Sequence, residues 1–366
     1  MGDSPLHRLA EQGQSVWVDS LSRDMINGGE LARLIREDGV TGVTSNPSIF
    51  QKAISQGTAY DEQLRELAGA PSGKEAFLGL AIRDIQDACD VLAPVWAETG
   101  GADGYVSMEV DPTFAYDTEA TYAEAVRLAK EIDRPNLLVK IPATLAGLPA
   151  IEDSIAGGRS INVTLIFSLE RYTAVAECYI RGLQRLAADG ADLSKVASVA
   201  SFFVSRVDSE ADARLEQAGA PQLCGKLAVA NAKLAYEVFE RLFSGPAWEE
   251  LAAKGARPQR PLWASTSTKN PAYRDVIYVE ELIGPDTVNT MPEETIRAFR
   301  DHGVVAATLD KGLAGAHRLL VDIEAAGVSY DDVVAVLEAE GVQKFSDAFA
   351  SLIAGIEQKR AVVAAV

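Results

Sequence analysis

Lys140 lies in a sequence context that favours covalent chemistry. It is embedded in the apolar run Asn-Leu-Leu-Val-Lys-Ile-Pro, so its side chain either extends along that surface to solvent or lies inside the protein. Burial disfavours the charged ammonium form, and a neutral amine can attack a ketone to form a Schiff base. On spacing alone, the alternatives are a lysine that snorkels to solvent and a lysine in a structural ion pair.

Two acids and a polar pair occupy comparable positions in other apolar runs. Asp19 ends the run Trp-Val-Asp, and Glu109 lies in Val-Ser-Met-Glu-Val. If these runs are strands of one barrel, both carboxyl groups could point toward Lys140 and act as base and acid in imine formation and carbon–carbon cleavage. Asn162 and Thr164, two positions apart, share one face of a strand. Taken singly, each acid could instead be a helix cap or a surface acid, and threonines are common in strands.

Two basic residues have neighbours suited to binding a phosphate group. Arg206 ends the segment Ser-Phe-Phe-Val-Ser-Arg, and Lys269 follows the hydroxyl run Ser-Thr-Ser-Thr. Late loops of a barrel frequently hold a phosphate with hydroxyl, amide and cationic donors. The alternative is a turn rich in Ser and Thr with a solvated lysine. No GxGxxG or Walker loop competes as a nucleotide site.

These candidate residues are distributed over a repeated pattern of short apolar runs and longer helical stretches. Such alternation predicts βα units around a parallel sheet. Eight runs suit a (β/α)₈ TIM barrel, and a doubly wound open sheet is the alternative. The predicted strands are 15–18, 42–44, 105–110, 137–141, 161–166, 196–204, 261–264 and 287–290. No linker divides the chain, which favours a single domain over residues 1–366.

Helical periodicity is clearest in two stretches. An apolar face predicts a helix over 76–97, which Pro94 is expected to kink or end. At the C-terminus an apolar stripe predicts another helix, and its members are Phe345, Phe349, Leu352, Ile353 and Ile356. Ser329 is the predicted N-cap of the helix before it.

Composition excludes several classes of function. The chain has 34 Lys and Arg against 53 Asp and Glu, a net charge of −19, which disfavours binding to nucleic acid or anionic lipid. Three separated cysteines and three scattered histidines indicate neither a disulfide framework nor a metal site. No apolar run is long enough to span a bilayer, and the N-terminus lacks a secretion signal. We therefore expect a cytoplasmic protein with no metal.

Several motifs in a fixed order resemble those of the transaldolase family, and the likeness extends from about Val16 to the C-terminal helices. They are Val16-Trp17-Val18-Asp19, Gly42-Val43-Thr44-Ser45-Asn46-Pro47-Ser48-Ile49-Phe50, Val139-Lys140-Ile141-Pro142-Ala143-Thr144 and Ile161-Asn162-Val163-Thr164-Leu165. Segments 263–273 and 287–292 are more similar to the longer bacterial and plant-like branch. The resemblance implies a barrel of the class I aldolase type with additional N-terminal and C-terminal helices.

The resemblance also implies roles for individual residues. Lys140 matches the Schiff-base lysine, and Asp19 matches the acid/base that takes the C4 hydroxyl proton. Glu109 and Thr164 match the pair that handles a catalytic water. The implied substrate contacts are Asn46 and Asn162 for the dihydroxyacetone unit, and Ser201, Phe203, Arg206, Ser267 and Lys269 for hydroxyl, aromatic and phosphate contacts.

The sequence departs from shorter relatives at one phosphate contact. Lys269 stands where they have an arginine, which keeps the charge but loses the bidentate fork. By the same resemblance, fructose-6-phosphate aldolases carry Gln and Tyr at the positions of Glu109 and Phe203, which favours transfer over simple cleavage here.

The implied reaction moves a dihydroxyacetone unit from sedoheptulose 7-phosphate or fructose 6-phosphate to glyceraldehyde 3-phosphate or erythrose 4-phosphate, in the non-oxidative pentose phosphate pathway. No cofactor is implied, because the protonated imine is the electron sink. An aldolase that releases free dihydroxyacetone and a non-catalytic sugar-phosphate binding protein are the alternatives. The expected partners are sugar phosphates, and the expected state is a monomer or homodimer.

Overall fold

Eight parallel strands close into a barrel in the computed structural model, which describes residues 4–55 and 57–364. Each strand pairs with the next along the chain, and the eighth pairs with the first. The strands are β1 (Gln14–Val18), β2 (Val40–Val43), β3 (Tyr105–Glu109), β4 (Leu137–Pro142), β5 (Ile161–Ile166), β6 (Ser198–Phe203), β7 (Arg260–Ala264) and β8 (Thr287–Met291). The predicted (β/α)₈ barrel is confirmed, and the open sheet is wrong.

Helices surround the barrel and extend it at both ends of the chain. They are α1 (Pro5–Glu11), α2 (Arg23–Asn27), α3 (Glu30–Asp38), α4 (Pro47–Ser55), α5 (Asp61–Glu66), α6 (Gly73–Glu98), α7 (Thr118–Ile132), α8 (Gly147–Ala156), α9 (Leu169–Ala188), α10 (Ser205–Gln217), α11 (Leu227–Leu242), α12 (Pro246–Ala252), α13 (Ile277–Glu280), α14 (Glu293–His302), α15 (Leu313–Ala325) and α16 (Tyr330–Ala364). Among the described residues, none of these helices combines the length and apolar character needed to cross a membrane.

Helix α6 contains the predicted helix and continues past Pro94. Ser72 caps its first turn by accepting a hydrogen bond from the Glu75 amide. The helix does not end at Pro94, because the following turn is closed by the Thr99 amide, which donates to the carbonyl of Val95 at 3.0 Å. A proline removes one helical hydrogen bond, and the neighbouring turns retain theirs.

The C-terminal helix α16 combines both predicted C-terminal segments into one element. Ser329 caps it by accepting a hydrogen bond from the Asp332 amide at 3.3 Å, as predicted. Its apolar stripe is buried against the rest of the molecule, with Phe345 and Phe349 each 7% exposed. Helix α16 packs against α4, α6 and α10 and reaches β5, so it lies beside the barrel end where the strands terminate.

Strand register places the candidate residues side by side. Glu109 on β3 is paired with Lys140 on β4, and Lys140 is paired with Asn162 on β5. Thr164 is paired with Pro142, two residues further along each strand. Alternate residues of a barrel strand point inward, so this register directs polar side chains of three neighbouring strands into one part of the interior.

Candidate active site

Lys140 is buried inside the barrel, with 4% of its surface exposed. Its Nζ donates to the carbonyl oxygen of Ser45 at 3.2 Å and lies 3.5 Å from Oε2 of Glu109. The ammonium also lies 5.5 Å from the centroid of the Phe345 ring. Snorkelling to solvent is therefore wrong as a description of Lys140. The ion-paired alternative is present in the geometry, and it is compatible with a covalent role.

The Glu109 carboxyl group is buried beside this lysine. Burial raises the pKa of Glu109 to about 7, although the charge of Lys140 opposes the rise, and the charge of Asp19 adds to it. Within the described residues, neither oxygen of Glu109 has a hydrogen-bond partner, nor does Oγ1 of Thr164. These polar atoms are free to bind a small polar molecule next to Lys140.

Asp19 follows the last residue of β1, where the backbone still pairs with β8. Its amide donates to the Met291 carbonyl at 2.8 Å, and its carboxylate accepts a hydrogen bond from Thr44 Oγ1 at 2.6 Å. Burial raises the pKa of Asp19, whereas the Thr44 hydrogen bond and the charge of Lys140 lower it. A carboxyl group under these opposed influences is suited to exchanging a proton with a bound hydroxyl.

A cavity of about 210 Å³ opens at the carboxyl end of the strands and contains most of the predicted site. Nine of the predicted residues line it: Asp19, Asn46, Lys140, Thr164, Ser201, Phe203, Arg206, Ser267 and Lys269. The other two, Glu109 and Asn162, are not among its lining residues. The structure thus brings together residues from six of the eight strand ends.

Asn162 lies beneath this cavity, and both the nitrogen and the oxygen of its side-chain amide are hydrogen-bonded. Its Nδ2 donates to Ser107 Oγ at 2.9 Å, and its Oδ1 accepts a hydrogen bond from Ser201 Oγ at 2.7 Å. The side chain is fully buried. As placed here, Asn162 orients Ser201 and does not face the cavity directly.

Two cations give the cavity a positively charged wall. The guanidinium of Arg206 lies 5.2 Å from the Phe203 ring centroid, and its Nη1 is buried with no partner in the described part of the chain. Burial lowers the pKa of Arg206, although the charges of Asp19 and Glu340 oppose this. Lys269 donates from Nζ to Ser267 Oγ at 2.6 Å. An anionic group bound here would supply the acceptors that Arg206 lacks.

Sequence reasoning missed several residues that shape the cavity. Phe345 lines it from α16, but its helical spacing indicated only a buried stripe. Thr44 joins Asp19 to Thr290, whose hydroxyl oxygen lies 2.7 Å from that of Thr44. The position of Thr44 and Ser45 in the polar segment after β2 could have identified them, since the catalytic residues of barrel enzymes lie at the carboxyl ends of strands. Phe345 carried no such signal.

A buried lysine beside carboxyl groups, at the carboxyl end of a (β/α)₈ barrel, defines a site of the class I aldolase type. Comparisons with known proteins specify the family. A family model described as Transaldolase/Fructose-6-phosphate aldolase matches residues 16–356. The chain belongs to this transaldolase/fructose-6-phosphate aldolase family.

Curated relatives match over almost their whole length. The chain is 54% identical to the transaldolase of Parafrankia sp. (strain EAN1pec), over 97% of this chain and 98% of the relative. It is 52% identical to the transaldolase of Frankia alni, over 97% of each chain. It is 54% identical to transaldolase 1 of Streptomyces avermitilis, over 96% of this chain and 94% of the relative.

Proposed function

We propose that this chain catalyses the transaldolase reaction, a transfer of aldehyde or ketone residues. It takes a dihydroxyacetone unit from sedoheptulose 7-phosphate or fructose 6-phosphate and gives it to glyceraldehyde 3-phosphate or erythrose 4-phosphate. The observation that carries this proposal is Lys140 Nζ, buried 3.5 Å from Glu109 on the same cavity as Asp19. Full-length relatives named transaldolase support it.

The first step joins the lysine to the ketose. Glu109 takes one proton from the Lys140 ammonium, and the resulting amine attacks C2 of the ketose. The carbon–nitrogen bond forms as the carbonyl π bond breaks, and a second proton moves from nitrogen to the former carbonyl oxygen to give a carbinolamine. Glu109 then returns its proton to the departing hydroxyl, so that water leaves and a protonated imine remains. Thr164 Oγ1, which lines the same cavity as Lys140 and has no hydrogen-bond partner among the described residues, holds that water in position.

The second step breaks the C3–C4 bond. The Asp19 carboxylate takes the C4 hydroxyl proton, C4 becomes an aldehyde, and the bonding electrons move into the imine to form an enamine. An aldose phosphate leaves, and the three-carbon unit stays attached to Lys140. Transfer is the reverse: the enamine carbon attacks the acceptor aldehyde, Asp19 returns its proton, and water at Glu109 hydrolyses the new imine.

The remaining residues hold the two ends of the substrate. Arg206 and Lys269, with Ser267, bind the phosphate group through charge-assisted hydrogen bonds. Asn46 and Ser201 contact the hydroxyl groups of the dihydroxyacetone unit, and Phe203 packs against the sugar carbons. Because Asn162 is bonded to Ser201, it orients that hydroxyl and reaches the substrate only by exchanging this bond.

Reductive trapping tests the covalent step. Borohydride with fructose 6-phosphate should fix a three-carbon adduct on the peptide that contains Lys140, identified by mass spectrometry. Lys140→Met should give no adduct. Lys233→Met is the matched control, because Lys233 is also buried, at 8% exposure, but is paired with Glu281 outside the catalytic cavity. An adduct on Lys269, or one that survives in Lys140→Met, would overturn the assignment.

The cellular location, domain organisation and oligomeric state of the enzyme are predictions. Cytoplasmic location, a single domain, and a monomeric or homodimeric state are expected for such an enzyme. Light scattering of the purified chain, compared with the 39.0 kDa of one copy, measures the last of these.

A further inference from the structure

A second cavity lies at the opposite end of the barrel from Lys140. It measures about 540 Å³, more than twice the 210 Å³ of the catalytic cavity. The segments that precede β3, β4, β5, β6 and β7 enclose it, and all of these lie at the amino ends of the strands. The side chains of Trp96, Leu137 and Val139 give it a partly apolar wall.

Basic side chains from four separate connections converge on this cavity. They are Arg134, Arg159, Lys195 and Arg257, and no Asp or Glu is among the lining residues. This concentration is unusual in a chain with 53 acids and 34 Lys and Arg. A local excess of one charge sign against the net charge of the protein is typical of a binding site for the opposite charge.

Three of the four cations are not ion-paired in the described part of the chain. Arg134 is engaged with Asp90 through two hydrogen bonds of 2.6 and 3.0 Å. In the part of the chain that the structure describes, Arg159, Lys195 and Arg257 form no ion pair within 4.0 Å. The lining of the cavity therefore includes three positive charges that no ion pair within this distance engages.

The guanidinium groups of Arg257 and Arg159 are held in place by neighbouring groups, none of which is a carboxylate. The Arg257 guanidinium donates to the carbonyl oxygens of Gly100, at 2.6 Å, and Gly101. The Arg159 guanidinium lies 5.7 Å from the Tyr122 ring centroid, and its Nη1 is buried with no hydrogen-bond partner among the described residues. A buried guanidinium N–H without an acceptor is costly, and an anion in the cavity would supply one.

We propose that this cavity is a second anion site, which binds a small organic phosphate carrying at least two negative charges. Arginine and lysine donors suit phosphate oxygens, and the apolar wall suits the carbon part of such a ligand. The volume exceeds that of the cavity proposed for sugar phosphates. A nucleic acid is excluded by size and by repulsion from the net charge of −19. The proposal is independent of the proposed reaction.

Calorimetric titration with inorganic pyrophosphate tests the site. All variants carry Arg206→Ala and Lys269→Ala, so that the catalytic cavity loses its own cations. We expect pyrophosphate to bind this background protein with one site per chain. Adding Arg159→Glu and Lys195→Glu should weaken that binding by about tenfold or more, because two of the three free charges are reversed.

The matched control is Arg83→Glu with Lys254→Glu in the same background. These exposed residues pair with Asp87 and Glu250 outside the cavity, and the net charge changes by the same amount. The control should bind pyrophosphate as the background does. Equal weakening in both variants would reduce the effect to overall charge and overturn the site, as would absence of binding to the background.

If the variant with both Arg159→Glu and Lys195→Glu fails to fold, a single substitution still tests the site. Lys195 is exposed, so Lys195→Ala should leave the melting temperature unchanged and weaken pyrophosphate binding about threefold. Unaltered affinity in a folded Lys195→Ala protein would contradict a site that uses this residue.

Discussion

At the scale of single residues, the protonation of Glu109 is the property that its surroundings control most closely. Burial raises its pKa to about 7, while Lys140 at 3.5 Å opposes the rise. Both protonation states are therefore populated near neutral pH. A group in this condition can accept a proton from the attacking amine and donate one to the leaving hydroxyl, which is the pair of tasks that imine formation requires.

The pKa of Glu109 leads to a pH prediction. We expect kcat/KM to rise as the pH increases through about 7, because the carboxylate form is the one that accepts a proton during amine attack. In the Glu109→Gln variant, this limb of the pH profile, the rise of kcat/KM through about pH 7, should be absent. Glu124→Gln is the control, since Glu124 also has a pKa raised by burial but pairs with Lys74 outside the cavity. Persistence of the limb in Glu109→Gln would assign it to another group.

Asp19 is predicted to act after the imine has formed. Asp19→Asn should therefore still react with the ketose, while turnover falls by roughly 10²–10⁴-fold, the usual effect of losing a general base. Borohydride trapping of this variant with fructose 6-phosphate should give an adduct that retains all six carbons and the phosphate. A three-carbon adduct formed at the wild-type rate would show that cleavage does not need Asp19.

Nine residues that line the cavity could be singled out from the sequence because strand ends combine polar residues with apolar flanks. The residues that flank Lys140 were enough to identify it, since a solvent-exposed lysine is unusual within Leu-Leu-Val-Lys-Ile. The hydrogen bonds of the Asn162 side-chain amide, from its nitrogen to Ser107 and to its oxygen from Ser201, could not be predicted. Such pairings depend on which strands are adjacent and on the register between them.

At the scale of elements, the barrel is held closed by tight contacts between its strands. Trp17 on β1 is fully buried and donates from its indole nitrogen to Asp103 at 2.8 Å. Gly42 on β2 lies directly against the Trp17 ring: a Cβ on Gly42 would meet ring atoms at 2.4 Å. The absence of a side chain at Gly42 therefore allows β1 and β2 to carry Asp19 and Thr44 to hydrogen-bond distance.

This contact predicts that Gly42→Ala destabilises the fold. The methyl group overlaps the buried ring, and overpacking of this kind costs about 1–3 kcal/mol. Gly355→Ala on α16 is the control, because nothing lies within 4 Å of its Cβ position, and there alanine should stabilise the helix by roughly 0.5–1 kcal/mol. Urea unfolding measures both. Equal stability of the Gly42→Ala protein would mean that Trp17 moves aside freely.

Element positions were predictable where the hydrophobic pattern was unambiguous. All eight strands were found within two residues at each end, because strands buried on both faces appear as short apolar runs. The placement of α16 was not predictable. Its stripe indicated a buried face, but only the packing against α4, α6, α10 and β5 shows that Phe345 reaches the catalytic cavity.

At the scale of the whole molecule, the barrel separates two cavities of different character. The catalytic cavity at the carboxyl end combines Lys140 and two further cations with the acid Asp19. The cavity at the amino end is lined by four cations and no acid. Its basic residues are spread over more than 120 positions of the chain, from Arg134 to Arg257. Only closure of the barrel brings them together, so sequence patterns did not indicate this second cavity.

The measurement that tests the proposed reaction most directly is the formation of glyceraldehyde 3-phosphate from fructose 6-phosphate, with and without erythrose 4-phosphate. A coupled assay follows the product. If the enamine on Lys140 is held until an acceptor arrives, sustained product formation will appear only when erythrose 4-phosphate is present. Sustained formation without the acceptor would show release of free dihydroxyacetone, and the chain would then be an aldolase and not a transferase.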